Sequence, residues 1–450
     1  MRGDSMVHPI KEIVTKYKQG ENVGIFSVCS SNKYVIEAAM DRLRNMEMYL
    51  LVESTANQVD QFGGYTGMKP KDFVKYIHNL AEKNNFPIDR IILGGDHLGP
   101  LTWTKIEPRE AMDNAKTLIR EYVLAGFTKI HIDTSMPLRG DIEKGIFDDY
   151  LIANRASVLC KVAEEAYLEL LEKEENAIHP VYVIGSEVPI PGGAQGEEED
   201  ECEISVTKVE SFVNTIDTFK NAFENFGVGE AWKYVIGVVV QPGVEFGSDH
   251  VWGYNREAAQ RLTEAIQEYS QLVFEAHSTD YQTPKALKEM VEDGYIILKV
   301  GPALTFGFRE GVFALNSIEN ELFKYNPDID LSNFQEILEF SMVKEPKDWE
   351  NHYLGTSEKI KIDRKYSLSD RCRYYMPKED VNFALEKLLK NLNGVQIPIT
   401  LVSQFMHNQY KKVRNGELEL NAQSLLKDRI GEYIDDYIFA TEESKVLQNA

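Results

Sequence analysis

The feature that most constrains this chain is a rhythm: a short β-rich run, then an amphipathic stretch, repeated eight times between residues 23 and 303. The runs are VGIFSVCS (23–30), MYLLVEST (48–55), RIILGGDH (90–97), KIHIDTSM (129–136), VYVIGSEV (181–188), YVIGVVVQPG (234–243), LVFEAHST (272–279) and YIILKVGPA (295–303). Between them lie segments such as AMDNAKTLIREYVLAGF (111–127) and REAAQRLTEAIQEY (256–269), with apolar residues at three- and four-residue spacing. Strand then helix, eight times, predicts an α/β chain folded as a (β/α)8 TIM barrel. Beyond about residue 320 the rhythm stops, and helical patterns such as VNFALEKLLKNL and AQSLLKDRIGEYIDDYIFA take over. The expected organisation is a barrel over 1–320 and a C-terminal helical extension over 321–450 packed on it.

Composition narrows the class of function. With 49 Lys+Arg against 72 Asp+Glu the net charge is -23, which repels phosphate backbones and argues against nucleic-acid or anionic-membrane partners. No window reaches the ~20 apolar residues of a membrane span. Cys29, Cys160, Cys202 and Cys372 lack CxxC spacing, so free thiols in a reducing cytoplasm are expected. The acidic run GEEEDECE (196–203) follows the fifth strand and reads as a solvated loop near the barrel mouth.

A barrel places its chemistry at the C-terminal strand ends, where loops surround a pocket held by a rigid scaffold. The polar residues of this sequence fall there: Ser30, Glu53, Asp96 with His97, His131 with Asp133, Glu187, Gln241, Glu275 with His277, and Lys299. Any one alone reads as a paired structural group; gathered on one rim they read as a site. His97 and His277 on different strands, converging with Glu187, would make a three-ligand metal site with an open position. Nitrogen and oxygen ligands suit a divalent ion, Zn or Mn, Co or Ni, without choosing among them. Asp96, expected to project to the opposite side of an extended strand end from His97, is the candidate base. Metal polarisation of a carbonyl and a carboxylate base are the parts needed to cleave a carbon–carbon bond beside that carbonyl. Lys299 reads either as a Schiff-base lysine or, more simply, as a cation neutralising Glu53, Asp96 and Glu275. Arg371 and Arg373, in a basic segment after the barrel, read as surface salt bridges or as an arm that holds a phosphate.

Eight motifs in order, GGYTGM (63–68), GGDHLGP (94–100), HIDTSM (131–136), IGSEVPIPGG (184–193), VVVQPGVEF (238–246), FEAHSTDYQT (274–283), LKVGPALTF (298–306) and YSLSDRCRYYMP (366–377), span nearly the whole chain. They resemble the Z-type subunit of class II tagatose-bisphosphate aldolase, a family with ketohexose 4-epimerases among its relatives. The resemblance implies the class II aldolase barrel and carries roles onto matching positions. Asp96 falls at the catalytic acid/base, His97 at a ligand histidine, Glu187 at the fifth-strand carboxylate and His277 at the seventh-strand histidine. The sixth strand departs, with Gln241-Pro242-Gly243 where the aldolases carry a ligand histidine and glycine, and Gln241 is a weaker ligand in its place.

Two functions follow from the resemblance. One is metal-dependent chemistry at the C3–C4 bond of tagatose, fructose or their phosphates, as 4-epimerisation or aldol cleavage, with Asp96, Glu187 and Lys299 as the reacting groups. The other is a non-catalytic accessory subunit that stabilises and activates a separate Y-type aldolase subunit; self-association into a homo-oligomer is left open. The substrate-binding set is Glu53, Asp133, Ser278, Thr279, Gly301, Arg371 and Arg373. The seventh loop, HSTDYQTP, lacks a glycine-rich phosphate cradle, leaving backbone amides at Ser278, Thr279 and Gly301 as the candidates.

Overall fold

The structure, a computed structural model, describes residues 7–189, 193 and 204–442. The acidic run 196–203, with Cys202, lies outside the described residues. Eight parallel strands close into a barrel in sequential order: β1 (Ile25–Val28), β2 (Leu50–Thr55), β3 (Ile91–Leu98), β4 (Lys129–Ile132), β5 (Val181–Ile184), β6 (Val235–Val239), β7 (Val273–Ala276) and β8 (Ile297–Val300). β8 pairs back onto β1 through Ile25–Ile297 to Val28–Val300. All eight lie where the β-rich runs predicted them, because each run is apolar enough to be buried on both faces. The (β/α)8 barrel with C-terminal helices is therefore the fold.

Helices alternate with the strands and bury their apolar stripes against them. In Pro108–Leu124, Ala111, Ala115, Leu118, Ile119, Tyr122 and Val123 are buried at the predicted helical spacing. The N-terminal helix Pro9–Lys18 sits at the opposite end of the barrel from the site, where the Lys11 ammonium donates to Lys233 O just before β6.

The chain after β8 is helical, and its last helix returns to the barrel. Ala422–Thr441 packs on the helix that follows β1 (Lys33–Leu43) and on the helix that follows β8 (Pro302–Phe323). Buried Asp428 accepts from Arg42 and Lys412 at 2.8 and 2.9 Å, and Thr441 O accepts from Gly24 N at 3.1 Å, immediately before β1. Residues 366–377 cross the mouth of the barrel. Leu368 O accepts from the Tyr281 hydroxyl at 2.5 Å, Leu368 N donates to Ser248 O at 2.9 Å, and Asp370 accepts from Thr305 Oγ1 at 2.6 Å. No helix among the described residues is long and apolar enough to cross a membrane.

Candidate active site at the barrel mouth

The stretch IILGGDHLGP carries the centre of the site. Its two glycines are small because neighbours fill their space: a Cβ at Gly94 would meet the Glu53 side chain at 2.6 Å, and one at Gly95 would meet Leu98 and Tyr122 at 2.4 and 2.8 Å. The expectation that Asp96 and His97 point to opposite sides is overturned here. His97 takes φ +49° and the pairing with β4 shifts register between Gly95 and Leu98. A left-handed residue inside a strand breaks the alternation of an ideal pleat, so both side chains enter the same buried cluster. Such a backbone is costly for a non-glycine residue.

Asp96, His97, His131 and His277 are all buried, and each offers a ligand atom within 4.8 Å of the others. The three imidazoles form a near-equilateral triangle, with ring centroids 5.1, 4.9 and 5.1 Å apart. Two of them are oriented by carboxylates behind them: His97 Nδ1 lies 2.7 Å from Asp133 Oδ2 and His277 Nε2 lies 2.9 Å from Glu275 Oε1. In the neutral imidazole such a carboxylate–histidine pairing leaves the other ring nitrogen with a lone pair, as in metal sites. His131 Nδ1 is 3.1 Å from Asp96 Oδ1, and its Nε2 is buried with no hydrogen-bond partner.

Electrostatics favour a divalent cation here. Burial pushes His277 down to about 3, so its imidazole is neutral and able to ligate. Burial works against ionisation of Asp96, yet His97 and Lys299 beside it hold its carboxyl well below the usual carboxylate range. For His97, burial opposes the charge, and Asp96 and Asp133 outweigh it to raise the imidazole. Below the histidines, Lys129 Nζ bridges Glu53 at 2.7 Å and Glu275 at 2.5 Å, while Lys299 Nζ contacts Glu53 and lies 2.9 Å from Asp96. Four buried carboxylates (Glu53, Asp96, Asp133, Glu275) thus face two buried lysines (Lys129, Lys299), a formal deficit that a divalent ion would balance.

Lys299 sits in this network as a cation. Burial disfavours its charge, but Asp96, Cys29, Glu53 and Glu275 together raise it well above the ordinary lysine value. An ammonium held this way has no lone pair for a Schiff base.

The structure does not bring Glu187 or Gln241 into the cluster. Glu187 is exposed and accepts from Thr207 Oγ1 at 2.6 Å; Gln241 turns its Oε1 back on its own loop, accepting from Gly243 N and Val244 N at 2.8 and 3.1 Å. Thr207 stitches the two together, since its Oγ1 also accepts from Gln241 N at 2.8 Å. Of the remaining candidates, Ser278, Gly301 and Arg373 line the cavity above the cluster, and Asp133 lies behind His97. Thr279 is buried, donating to Lys299 O at 2.7 Å, and Arg371 is buried, donating to Asp348 O. Ser30 also lines the cavity and accepts from Asn32 N.

Sequence reasoning passed over Lys129 altogether and left His131 among the rim residues without a ligand role. The signal was available: Lys129, His131 and Asp133 alternate along one strand, so all three face the barrel interior. The cavity itself is about 390 Å³, floored by Asp96, His97 and His277 and walled by Tyr65, Phe308 and Tyr374.

A family model described as D-tagatose-1,6-bisphosphate aldolase subunit GatZ/KbaZ-like matches residues 10–442. The chain belongs to this family. A crystal structure of a probable tagatose 6 phosphate kinase from Sinorhizobium meliloti 1021 is 42% identical, covering 93% of this chain and 100% of that one, with a TM-score of 0.83. More distant are the YdjI aldolase from Escherichia coli K12 (12% identity, 82% of this chain and 96% of that one, TM-score 0.38) and a fructose-bisphosphate aldolase from Campylobacter jejuni. The latter is 14% identical over 85% of this chain and 91% of its own, with a TM-score of 0.42. Membership of the GatZ/KbaZ-like family makes this a tagatose-bisphosphate aldolase-type protein of carbohydrate metabolism.

Proposed function

We propose that this GatZ/KbaZ-like chain is itself a metal-dependent catalyst of C3–C4 bond chemistry on ketohexoses, as a 4-epimerase or an aldolase. The observation that carries the reading is the convergence of three imidazoles and Asp96 in one buried cluster, with His97 and His277 each oriented by a carboxylate. Their donor set fits a divalent metal, Zn or Mn, Co or Ni, held by His97, His131 and His277. When bound, such an ion supplies Lewis-acid polarisation of the ketose carbonyl.

Asp96 is ionised and lies at the edge of the histidine triangle, so it is the group that accepts the proton of the C4 hydroxyl. Loss of that proton lets the C3–C4 bonding pair move toward the C2 carbonyl, leaving an aldehyde at C4 and an enediolate on the three-carbon fragment. Lys299, 2.9 Å from Asp96, holds the carboxylate in place and keeps it charged. If the aldehyde turns within the cavity and re-adds, the C4 configuration is inverted; if it leaves, the outcome is cleavage. Glu187 and Lys299, expected above to react, have other work in this reading: Glu187 bonds Thr207 and Lys299 is a positioning residue.

The test is purified protein, loaded with each metal in turn, incubated with tagatose, fructose and their phosphates. Interconversion or cleavage that vanishes in Asp96→Asn supports the proposal. Bound metal without turnover of any of these sugars overturns it.

A second reading keeps the chain as a partner for a Y-type aldolase subunit. It is favoured by apolar side chains left exposed on packed helices after the barrel: Phe340 on Phe334–Lys344, Ile362 on Ser357–Tyr366 and Phe383 on Glu379–Asn393. A contiguous exposed apolar patch marks an interaction surface, and Phe334–Lys344 contacts both of the other two helices. Co-purification with a Y-type subunit, and a longer half-life of that subunit in the mixture, are the expected results; an unchanged half-life rejects this reading.

A further inference from the structure

One buried acid at the cavity is not used by the chemistry above. Asp280, in the loop that follows β7, lines the cavity and is almost wholly buried. Its Oδ1 accepts from Gly301 N at 3.0 Å and Ala303 N at 2.8 Å, at the N-terminus of the helix Pro302–Phe323. A helix N-terminus after the eighth strand is where a barrel can hold a phosphate, because its unpaired amides and dipole attract an anion. Here every first-turn amide is already engaged. Pro302 has none, Leu304 N and Thr305 N donate to Gly301 O at 3.1 and 3.4 Å, and the rest belong to Asp280. The amide expected above to meet a phosphate, Gly301 N, therefore meets a carboxylate of the chain's own.

The rest of the lining agrees. The other helix N-terminus facing the cavity, that of Lys33–Leu43, is capped by Asn32 Oδ1, which accepts from Tyr34 N and Val35 N at 2.9 and 3.4 Å. Among the described residues that line the cavity, Asp96, Asp280 and Glu386 are acidic and Lys33, Lys299 and Arg373 basic, three of each. Each of the cations already has partners within the protein. Lys299 is paired with Glu53 and Asp96, Arg373 donates to the carbonyls of Ser369 and Asp370 and to the Tyr374 hydroxyl, and half-exposed Lys33 lies 3.8 Å from Glu37. A phosphate ester brings about two negative charges into a lining whose acidic and basic residues are equal in number. Hydroxyls suit it better: Ser31, Asn57, Gln58 and Ser278 offer neutral donors and acceptors around the same space.

We propose that this cavity takes an unphosphorylated ketohexose, and that Asp280 is the specificity residue that excludes a phosphate from the end beside the β7 and β8 loops. The proposal rests on the ketohexose reading of the same site and names its substrate class. A carboxylate at that position accepts a sugar hydroxyl and repels a phosphate; the same backbone amides without it would welcome the ester.

The experiment compares tagatose and fructose with their 6-phosphates, and with inorganic phosphate, by calorimetric binding and by turnover. The wild-type chain should favour the free sugar over its 6-phosphate by about tenfold or more and should not bind inorganic phosphate. In Asp280→Asn the amide oxygen keeps the helix cap and removes the charge, so the ester-to-free ratio of kcat/KM should rise by about tenfold. Asp280→Ser, which frees the two amides, should gain binding of inorganic phosphate. A merely structural Asp280 would lower both substrates alike and leave the ratio where it was, which overturns the assignment. If no sugar is turned over, the ketohexose catalyst fails, and binding alone decides the present point. Preference for the free sugar supports it, and preference for the ester, or binding of neither, overturns it.

Discussion

Two stretches of the same rim behave in opposite ways. On β3, β4 and β7 the strand-end residues turn inward and meet: Asp96, His97, His131 and His277 form one buried cluster with Asp133 and Glu275 behind it. On β5 and β6 residues of equally suitable chemistry stay out of that cluster. Glu187 and Gln241 spend their side chains on Thr207 and on the turn at Gly243 and Val244. A polar residue at a barrel strand end is thus necessary for a site but does not make one. What decides is whether local donors capture the side chain before it can reach the centre.

The comparison breaks most visibly if the histidine triangle does not act as a unit. Replacing His97, His131 or His277 with Ala should each strip the metal and lower turnover by about 10⁴-fold, with double replacements costing little more, because the shared ion is already lost. Metal analysis beside steady-state rates checks this; full metal occupancy in the His131→Ala protein would remove β4 from the site. Asp96→Asn is expected to cost about 10³-fold in kcat while metal content holds, since the amide keeps the shape and cannot accept a proton.

Smaller effects sharpen the contrast. Lys129→Met removes one of the two lysines that Glu53 and Glu275 share, leaving Lys299, and should destabilise the fold by about 3–5 kcal/mol in urea unfolding; a loss below 1 kcal/mol, about the value of an exposed pair, would mean that the quartet of Glu53, Glu275, Lys129 and Lys299 is solvated. At the other stretch of rim, Gln241→His should leave metal affinity unchanged, and Gln241→Ala should cost about 1 kcal/mol for each lost turn hydrogen bond. Glu187→Ala should change activity by less than about threefold, the scale of an exposed substitution. Tighter metal binding by Gln241→His would place the sixth strand in the coordination shell and erase the distinction between the two stretches.

Much of this architecture was legible from residues alone. The eight β-rich runs are apolar and β-branched, and the segments between them carry helical periodicity, so strand count and order follow from local patterning. Asp96, His97 and His277 could also be singled out, because a buried strand has no reason to end in such groups unless they are paired or used. His131 and Lys129 were harder. Lys129 opens its strand and reads as a surface residue, until the barrel closes and sets it between Glu53 of β2 and Glu275 of β7.

What the sequence determined by itself is therefore what depends on near neighbours: the alternation of strand and helix, the placing of polar groups at strand ends, and the helical character of the chain after residue 320. Three things were left to the tertiary structure. The left-handed backbone at His97 puts two adjacent side chains into one cluster, against the period of a strand. The buried ion quartet joins four strands far apart in sequence. Asp280 reaches across to the amides of Gly301 and Ala303 and occupies both. Each turns on which partner lies within about 3 Å of a given polar atom, and that distance is set only when the barrel closes and its loops pack over the mouth.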